Sequence, residues 1–296
     1  MPSALKYVRR AAGSFPAICD SGSGGYKKPM DFDVDTLRTL RLGQRLGHTI
    51  HFYEETDSTN TRAREAGRDG APEGTLFIAE RQTAGRGRLG RTWESPPRRN
   101  LYLSVLLRPP VALEIVPQLT LVAGLSTAEA VREWVPRAGI KWPNDVLIDG
   151  RKVSGILTEM EASQGRVAFV VVGIGVNLNL RAEELPPELR DRAAGVGEFL
   201  PAGAGPIDRP RFADRLLSHL DEHSRQFVDH GFAALRARWN ELSLLAGRHV
   251  RIDSSGTLYE GVVVGIHDDG TLHLRGAAGE ARVVAGDVTV LEHRQS

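Results

Sequence analysis

Three glycines and three arginines alternate in Gly85-Arg86-Gly87-Arg88-Leu89-Gly90-Arg91, with Trp93 just beyond. A guanidinium group binds phosphate or carboxylate oxygens in pairs and stays charged at physiological pH. Glycine lets the backbone approach a ligand closely. Together they suit a polyanionic ligand over which the loop could close. The spacing is not the phosphate-loop pattern GxxxxGK[ST]. GxGxxG is met only by Gly85, Gly87 and Gly90, with arginine where helix packing wants a small residue. A solvated basic loop or an RG-rich RNA-binding segment is the competing reading.

Three further stretches could carry chemistry. Lys141 opens Lys141-Trp142-Pro143-Asn144-Asp145, where the proline restricts its neighbour. A lone lysine at a strand end would by default be a surface residue. Asn144 and Asp145 suit either ligand contact or turn anchoring, and Trp142 suits core packing. Asp57-Ser58-Thr59-Asn60 supplies neutral hydrogen-bonding groups, as does Gln82, and its first three residue types also favour helix N-termini. Gly173-Ile174-Gly175-Val176-Asn177 ends an apolar run, and glycines in a strand often mark close approach by a ligand.

The elements around these stretches are legible from their patterns. Residues 34–46 suit a short helix. Thr49 to Tyr53, Thr75 to Ala79 and Asn100 to Arg108 read as strands, with Leu101, Leu103, Val105 and Leu107 on one face. A helix follows Asn60 and ends near Gly67 or Gly70. Val116 to Trp134 and Arg211 to Trp239 read as amphipathic helices. Val146 to Thr158 reads as a hairpin with a primed turn at Asp149-Gly150. Residues 181–208 read as a long, partly mobile loop. Beyond Gly247 five short β-rich runs alternate with turn signals, which predicts a small antiparallel barrel docked on the first domain. The expected fold class is α+β, a mixed sheet flanked by helices.

Composition narrows the function classes. The formal net charge is +1, which argues against bulk nucleic-acid binding. The single cysteine, Cys19, excludes an intrachain disulfide and fits a reducing compartment. No apolar run reaches membrane-span length. The nine histidines are scattered without HExxH spacing and read as surface or core residues. Residues 1–29 carry five basic groups against Asp20 and read as a disordered tail, with Met30 an alternative start and an organellar presequence less favoured.

Taken together and in order, GRGRLGR, KWPND and GxGxN resemble the biotin–protein ligase family over roughly residues 48–292. The resemblance implies a catalytic domain over 48–244 and a C-terminal SH3-like barrel over 246–293, after a tail and short helix at 1–47. It implies an ATP- and Mg2+-dependent reaction in a cytoplasmic enzyme. Biotin is converted to biotinyl-5'-AMP, and the biotinyl group passes to a lysine of a biotin carboxyl carrier protein, the usual one belonging to acetyl-CoA carboxylase. It places Ser58, Thr59, Asn60, Gln82, Arg86, Gly87, Arg88, Lys141, Gly173 and Gly175 around biotin. Arg86, Arg88, Arg91, Trp93 and Asn177 fall to ATP or the adenylate, and Lys141 and Arg88 are the catalytic pair. No metal ligand is fixed, since Mg2+ would enter through the phosphates with Asn177 a candidate contact. The three loop glycines imply a lid that orders on the ligand.

The chain departs from the family in two places. Too little sequence precedes His48 for a helix-turn-helix, so no sequence-specific DNA binding is expected. Residues 181–208 lack the tryptophan that covers adenine in some relatives, leaving Phe199 as the nearest aromatic. A lipoate or octanoate ligase or transferase on the same fold is the first alternative, and a non-catalytic RNA- or protein-binding module the second. Both a monomer and a homodimer remain open.

Overall fold

The computed structural model describes residues 31–277 and 279–291. The expectation of a disordered tail concerns residues outside these. Seven strands form one sheet: β1 (Ile50–Thr56), β2 (Leu76–Gln82), β3 (Leu101–Leu107), β4 (Gly139–Lys141), β5 (Asp145–Ile148), β6 (Arg151–Ser163) and β7 (Arg166–Val176). Their order is β1-β2-β3-β7-β6-β5-β4, with β1 and β2 parallel and every other pair antiparallel. This is the mixed sheet expected.

Both faces of the sheet are covered, and the alternation of β3 shows how. Leu101, Leu103, Val105 and Leu107 point into the main core, while Leu106 joins Ala63, Phe77, Phe169 and Val171 in a smaller cluster on the other face. The small cluster lies under α2 (Thr59–Arg68), and the main core under α3 (Gln118–Arg132) and α4 (Arg209–His230). The single helix expected from Arg211 to Trp239 is two helices. Gly231 ends α4 at φ 72°, a conformation that glycine takes without strain, and α5 (Ala233–Glu241) restarts after it. The Asp149-Gly150 hairpin turn has both residues at positive φ, as a primed turn requires.

Residues 31–47 are built into the domain. α1 (Val34–Leu40) buries Leu37, and Phe32 and Leu46 join the main core. Arg41, only 1% exposed, donates through Nε to the Leu46 carbonyl and through Nη1 to Asp214 on α4 at 3.1 Å. The 181–208 connection carries three short 3-10 turns and buries Leu185, Ala194, Val196 and Ile207.

β8 (His249–Ser254), β9 (Thr257–Ile266), β10 (Leu272–Gly276), β11 (Gly279–Val283) and β12 (Asp287–Val290) form a separate antiparallel sheet in the order β11-β10-β9-β8-β12, a small barrel-like unit. Its inward Val250, Ile252, Val263 and Leu274 are continuous with the main core, so it docks as a small core requires. Trp142 Nε1 donates to the Gly270 carbonyl, and Asn240 Oδ1 accepts from the Ile266 amide across the same junction.

Candidate active site

A cavity of about 970 Å³ opens between the large sheet, the 85–93 loop and the edge strand β12. Of the residues singled out in the sequence, Ser58, Thr59, Asn60, Gln82, Arg86, Gly87, Arg88, Arg91, Trp93, Lys141, Gly173 and Gly175 all line it. Asn177 does not. It is 5% exposed, just past the end of β7, with its backbone amide donating to the Val153 carbonyl and its Oδ1 accepting from Asn100 at 3.5 Å.

The floor is a chain of neutral polar groups. Ser58 holds the N-cap position of α2 but its side chain makes no capping bond. Gln82 at the end of β2 caps the helix instead, its Oε1 accepting from the Thr59 amide at 2.9 Å and from Thr59 Oγ1 at 3.2 Å. That leaves the buried Ser58 hydroxyl at the cavity wall. Ser104, which the sequence did not single out, stands 2.8 Å from Thr59 Oγ1 and 2.6 Å from Asn60 Oδ1. Asn60 Nδ2 donates to the Leu157 carbonyl and to Glu159. A network so completely satisfied holds its members in fixed orientations, as recognition of an uncharged polar ring requires.

The glycines of β7 act through protein neighbours. A Cβ on Gly173 would fall 2.0 Å from Asn60 Oδ1, and one on Gly175 would fall 2.6 Å from the Trp93 ring. Gly155, paired with Gly175 across β6 and β7, also faces Trp93. The glycines therefore seat Asn60 and Trp93, where a sequence reading places open room for a ligand tail. Gly173→Ala is expected to displace Asn60 and raise the KM of a substrate bound over this floor by roughly tenfold or more, with kcat changed far less. Steady-state kinetics check this, and an unchanged KM would remove Asn60 from the substrate site.

The arginine loop folds back on itself. Arg86 bridges to Thr92, the Gly87 amide donates to the Arg91 carbonyl at 2.7 Å, and the Trp93 amide to the Gly85 carbonyl at 3.0 Å. Gly90 takes φ 73° at the tip, and a Cβ on Gly85 would lie 2.5 Å from the Trp93 carbonyl. The three arginines differ in partner. Arg86 pairs with Glu159 at 2.9 Å and Arg91 with Asp287 of β12. Arg88 donates to the neutral Asn144 Oδ1 at 2.9 Å, and among the described residues it makes no ion pair. Burial pushes its pKa below the usual arginine value, a sign that this cation is partly desolvated and suited to an anion.

The Lys141–Asp145 turn sits opposite. Trp142 is buried, as expected, and the Trp142–Pro143 peptide is cis. Asn144 serves both roles considered for it: its Nδ2 donates to the Ile156 carbonyl, anchoring the turn, while its Oδ1 holds Arg88. Asp145 pairs with Lys152 at 2.7 Å, and the Lys152 ammonium lies 5.4 Å from the Trp93 ring centre. Phe199 does not reach the cavity. It is packed against the main core between the guanidinium groups of Arg137 and Arg151. The 181–208 connection contributes Asp191 and Arg192 to the wall instead.

Two family models match this chain. That of the biotin/lipoate A/B protein ligase family covers residues 52–177, and that of the biotin protein ligase C-terminal domain covers residues 246–291. The bifunctional ligase/repressor BirA of Bacillus subtilis (strain 168) is 33% identical over 285 residues, covering 96% of this chain and 87% of its own length. This chain belongs to the biotin protein ligase family. The biotin--[acetyl-CoA-carboxylase] ligase of Mycobacterium tuberculosis is 35% identical over 267 residues, 88% of this chain and 96% of that protein. The biotin protein ligase of Aquifex aeolicus, solved in complex with biotin and ATP, superposes with a TM-score of 0.71 at 32% identity, over 82% of this chain and 98% of that one.

Sequence reasoning missed several residues at and around this cavity. Lys152 lies two residues past the primed turn, on the strand that carries Gly155, so its proximity could have been read from hairpin register. Ser104 and Glu159 reach the site only through long-range strand pairing with β7, and no local pattern marks them.

Proposed function

We propose that this chain activates biotin with ATP to biotinyl-5'-AMP and transfers the biotinyl group to a specific lysine of a biotin carboxyl carrier protein. In the first step a carboxylate oxygen of biotin attacks the α-phosphorus, the bond to the bridging oxygen breaks, and pyrophosphate leaves. In the second the carrier amine attacks the acyl carbon, AMP leaves, and the amine loses a proton. One observation carries this reading above others. Arg88 and Lys141, neither with a carboxylate partner among the described residues, face the same cavity as the neutral Ser58–Thr59–Asn60–Gln82 floor.

The division of labour follows from charge. An anion attacking an anion needs cations at the shared oxygens, and Lys141 and Arg88 supply them. The neutral floor suits the ureido ring, whose donors and carbonyl would each cost ~1–3 kcal/mol if left unpaired on burial. Arg86 is committed to Glu159, so it orders the loop and Asn60 more than it binds phosphate. Mg2+ fits as an ion carried by the phosphates, because Asp145 and Asp287 at the cavity are each paired with a cation. The biotin-type C-terminal domain favours biotin over lipoate or octanoate. The enzyme acts in the cytoplasm in this reading.

Incubating the protein with ATP, Mg2+, biotin and an apo carrier domain should give one biotin per carrier, and none when the acceptor lysine is replaced. Carriers left unmodified by a protein that forms the adenylate would refute the transfer step. Arg88→Gly is expected to loosen the adenylate, so that bystander lysines become labelled. Labelling as selective as the parent's would count against the loop as a lid.

A further inference from the structure

Far from the cavity, α3 and α4 face each other with a second set of chemistry-bearing groups. His219 and His223 stand one turn apart on α4, and Glu129 stands one turn before Glu133, the C-cap of α3, so each pair shares a helix face. Glu129 Oε2 lies 3.4 Å from His219 Nδ1 and 3.2 Å from His223 Nε2. These three atoms all fall within 4.8 Å of one another. Ligand atoms held ~2.0–2.1 Å from a tetrahedral zinc ion stand about 3.3 Å apart, so two edges of that tetrahedron already have the right length.

The atoms facing away from this centre are engaged in the way that frees the others. The Ser126 hydroxyl donates to the Val122 carbonyl at 2.8 Å. Its proton is thereby used, so its 3.0 Å contact with His223 Nδ1 has the imidazole as donor. His223 Nε2 in the neutral ring is then a lone pair aimed at Glu129. His219 Nε2 stands 2.7 Å from Glu133 Oε1 and donates there, leaving Nδ1 as its lone pair. The other oxygen of Glu129 is held by Arg238 Nε at 2.7 Å. Three lone pairs thus converge, and they repel unless a proton or a cation lies among them. A carboxylate or hydroxyl on the far nitrogen of a histidine is also the usual support for a metal ligand.

We propose that Glu129, His219 and His223 form a binding site for a transition-metal dication of the Zn2+ class. Two imidazoles and one carboxylate suit Zn2+ or Co2+ and not Mg2+, which takes oxygen ligands in an octahedron. Water completes the shell. The side chains of Glu129 and His219 are 15% and 19% exposed, which gives an ion a way in. The ion would staple α3 to α4 beneath the sheet, separate from any Mg2+ that arrives with ATP.

The test titrates metal-free full-length protein with Co2+ and then Zn2+. The expected result is one equivalent of Co2+ per chain with the intense visible bands of a tetrahedral ion, displaced by one equivalent of Zn2+. Ser126→Ala, which removes the support of His223, should weaken Zn2+ binding roughly tenfold. His219→Gln and Glu129→Gln should weaken it further. His219 is the more exposed histidine, so its replacement spares the packing that a change at His223 would disturb. Biotin-dependent exchange at the parent level would show that these variants are folded. Absence of the cobalt bands in the folded parent, or undiminished binding in both ligand variants, would overturn the proposal.

Discussion

Lys141→Ala is expected to lower biotin-dependent ATP–pyrophosphate exchange by roughly 10²–10³-fold, the usual loss when one group that stabilises transition-state charge is removed. The fold should survive. The backbone of Lys141 keeps its pairing with Asp145, and the neighbouring Trp142 stays buried against the C-terminal unit. Truncating a partly exposed side chain outside the core typically moves stability by no more than about 0.5 kcal/mol. Lys141→Arg should recover little, because a planar fork does not replace a point charge on a flexible stem. Exchange assays on both variants, beside urea unfolding of each, separate loss of chemistry from loss of fold. Exchange at the parent rate in Lys141→Ala would remove this lysine from the reaction.

The largest stability effect should come from Glu80, at the strand end that launches the arginine loop. Its carboxylate meets Arg209 in two parallel bonds, Nη1 to Oε2 at 2.7 Å and Nη2 to Oε1 at 2.8 Å. The two side chains are 3% and 5% exposed. Glu80 also accepts from the Phe32 amide at 2.7 Å and the Arg98 amide at 3.1 Å, so one carboxylate ties β2, the start of α4 and both flanking segments together. Glu80→Ala would remove the bidentate carboxylate partner of a buried guanidinium, at a cost of about 3–5 kcal/mol in urea unfolding. Replacing both partners by apolar residues of similar volume (Glu80→Leu with Arg209→Met) should recover much of that loss, because no buried charge is then left behind. A loss under about 1 kcal/mol in Glu80→Ala would mean that water reaches this pair.

Much of the site was legible because its chemistry is local in sequence. The GRGRLGR loop and the KWPND turn each hold their residues within a few positions, and both arrive at one cavity. The strands of the C-terminal unit were legible for the same reason, since turn signals and alternation are short-range. What escaped depends on distant partners. Nothing near Arg88 says that it faces Asn144 while Arg86 faces Glu159, so only the family resemblance, and not the local sequence, set Arg88 apart. The cap of α2 comes from Gln82, more than twenty residues away, which made Ser58 look like a capping residue. Asn177 follows two glycines of the motif, yet it lies just past the end of β7, where its backbone amide is tied to Val153 and its side chain to Asn100. The break at Gly231 was readable from the glycine itself, but the apolar periodicity continued across it and hid the stop.

The most direct test of the account is ATP–pyrophosphate exchange by the purified protein with Mg2+, comparing biotin, lipoate and octanoate. Exchange with biotin alone is expected, and it should be abolished in Lys141→Ala. Exchange with lipoate or octanoate in place of biotin, or with no acid at all, would contradict it.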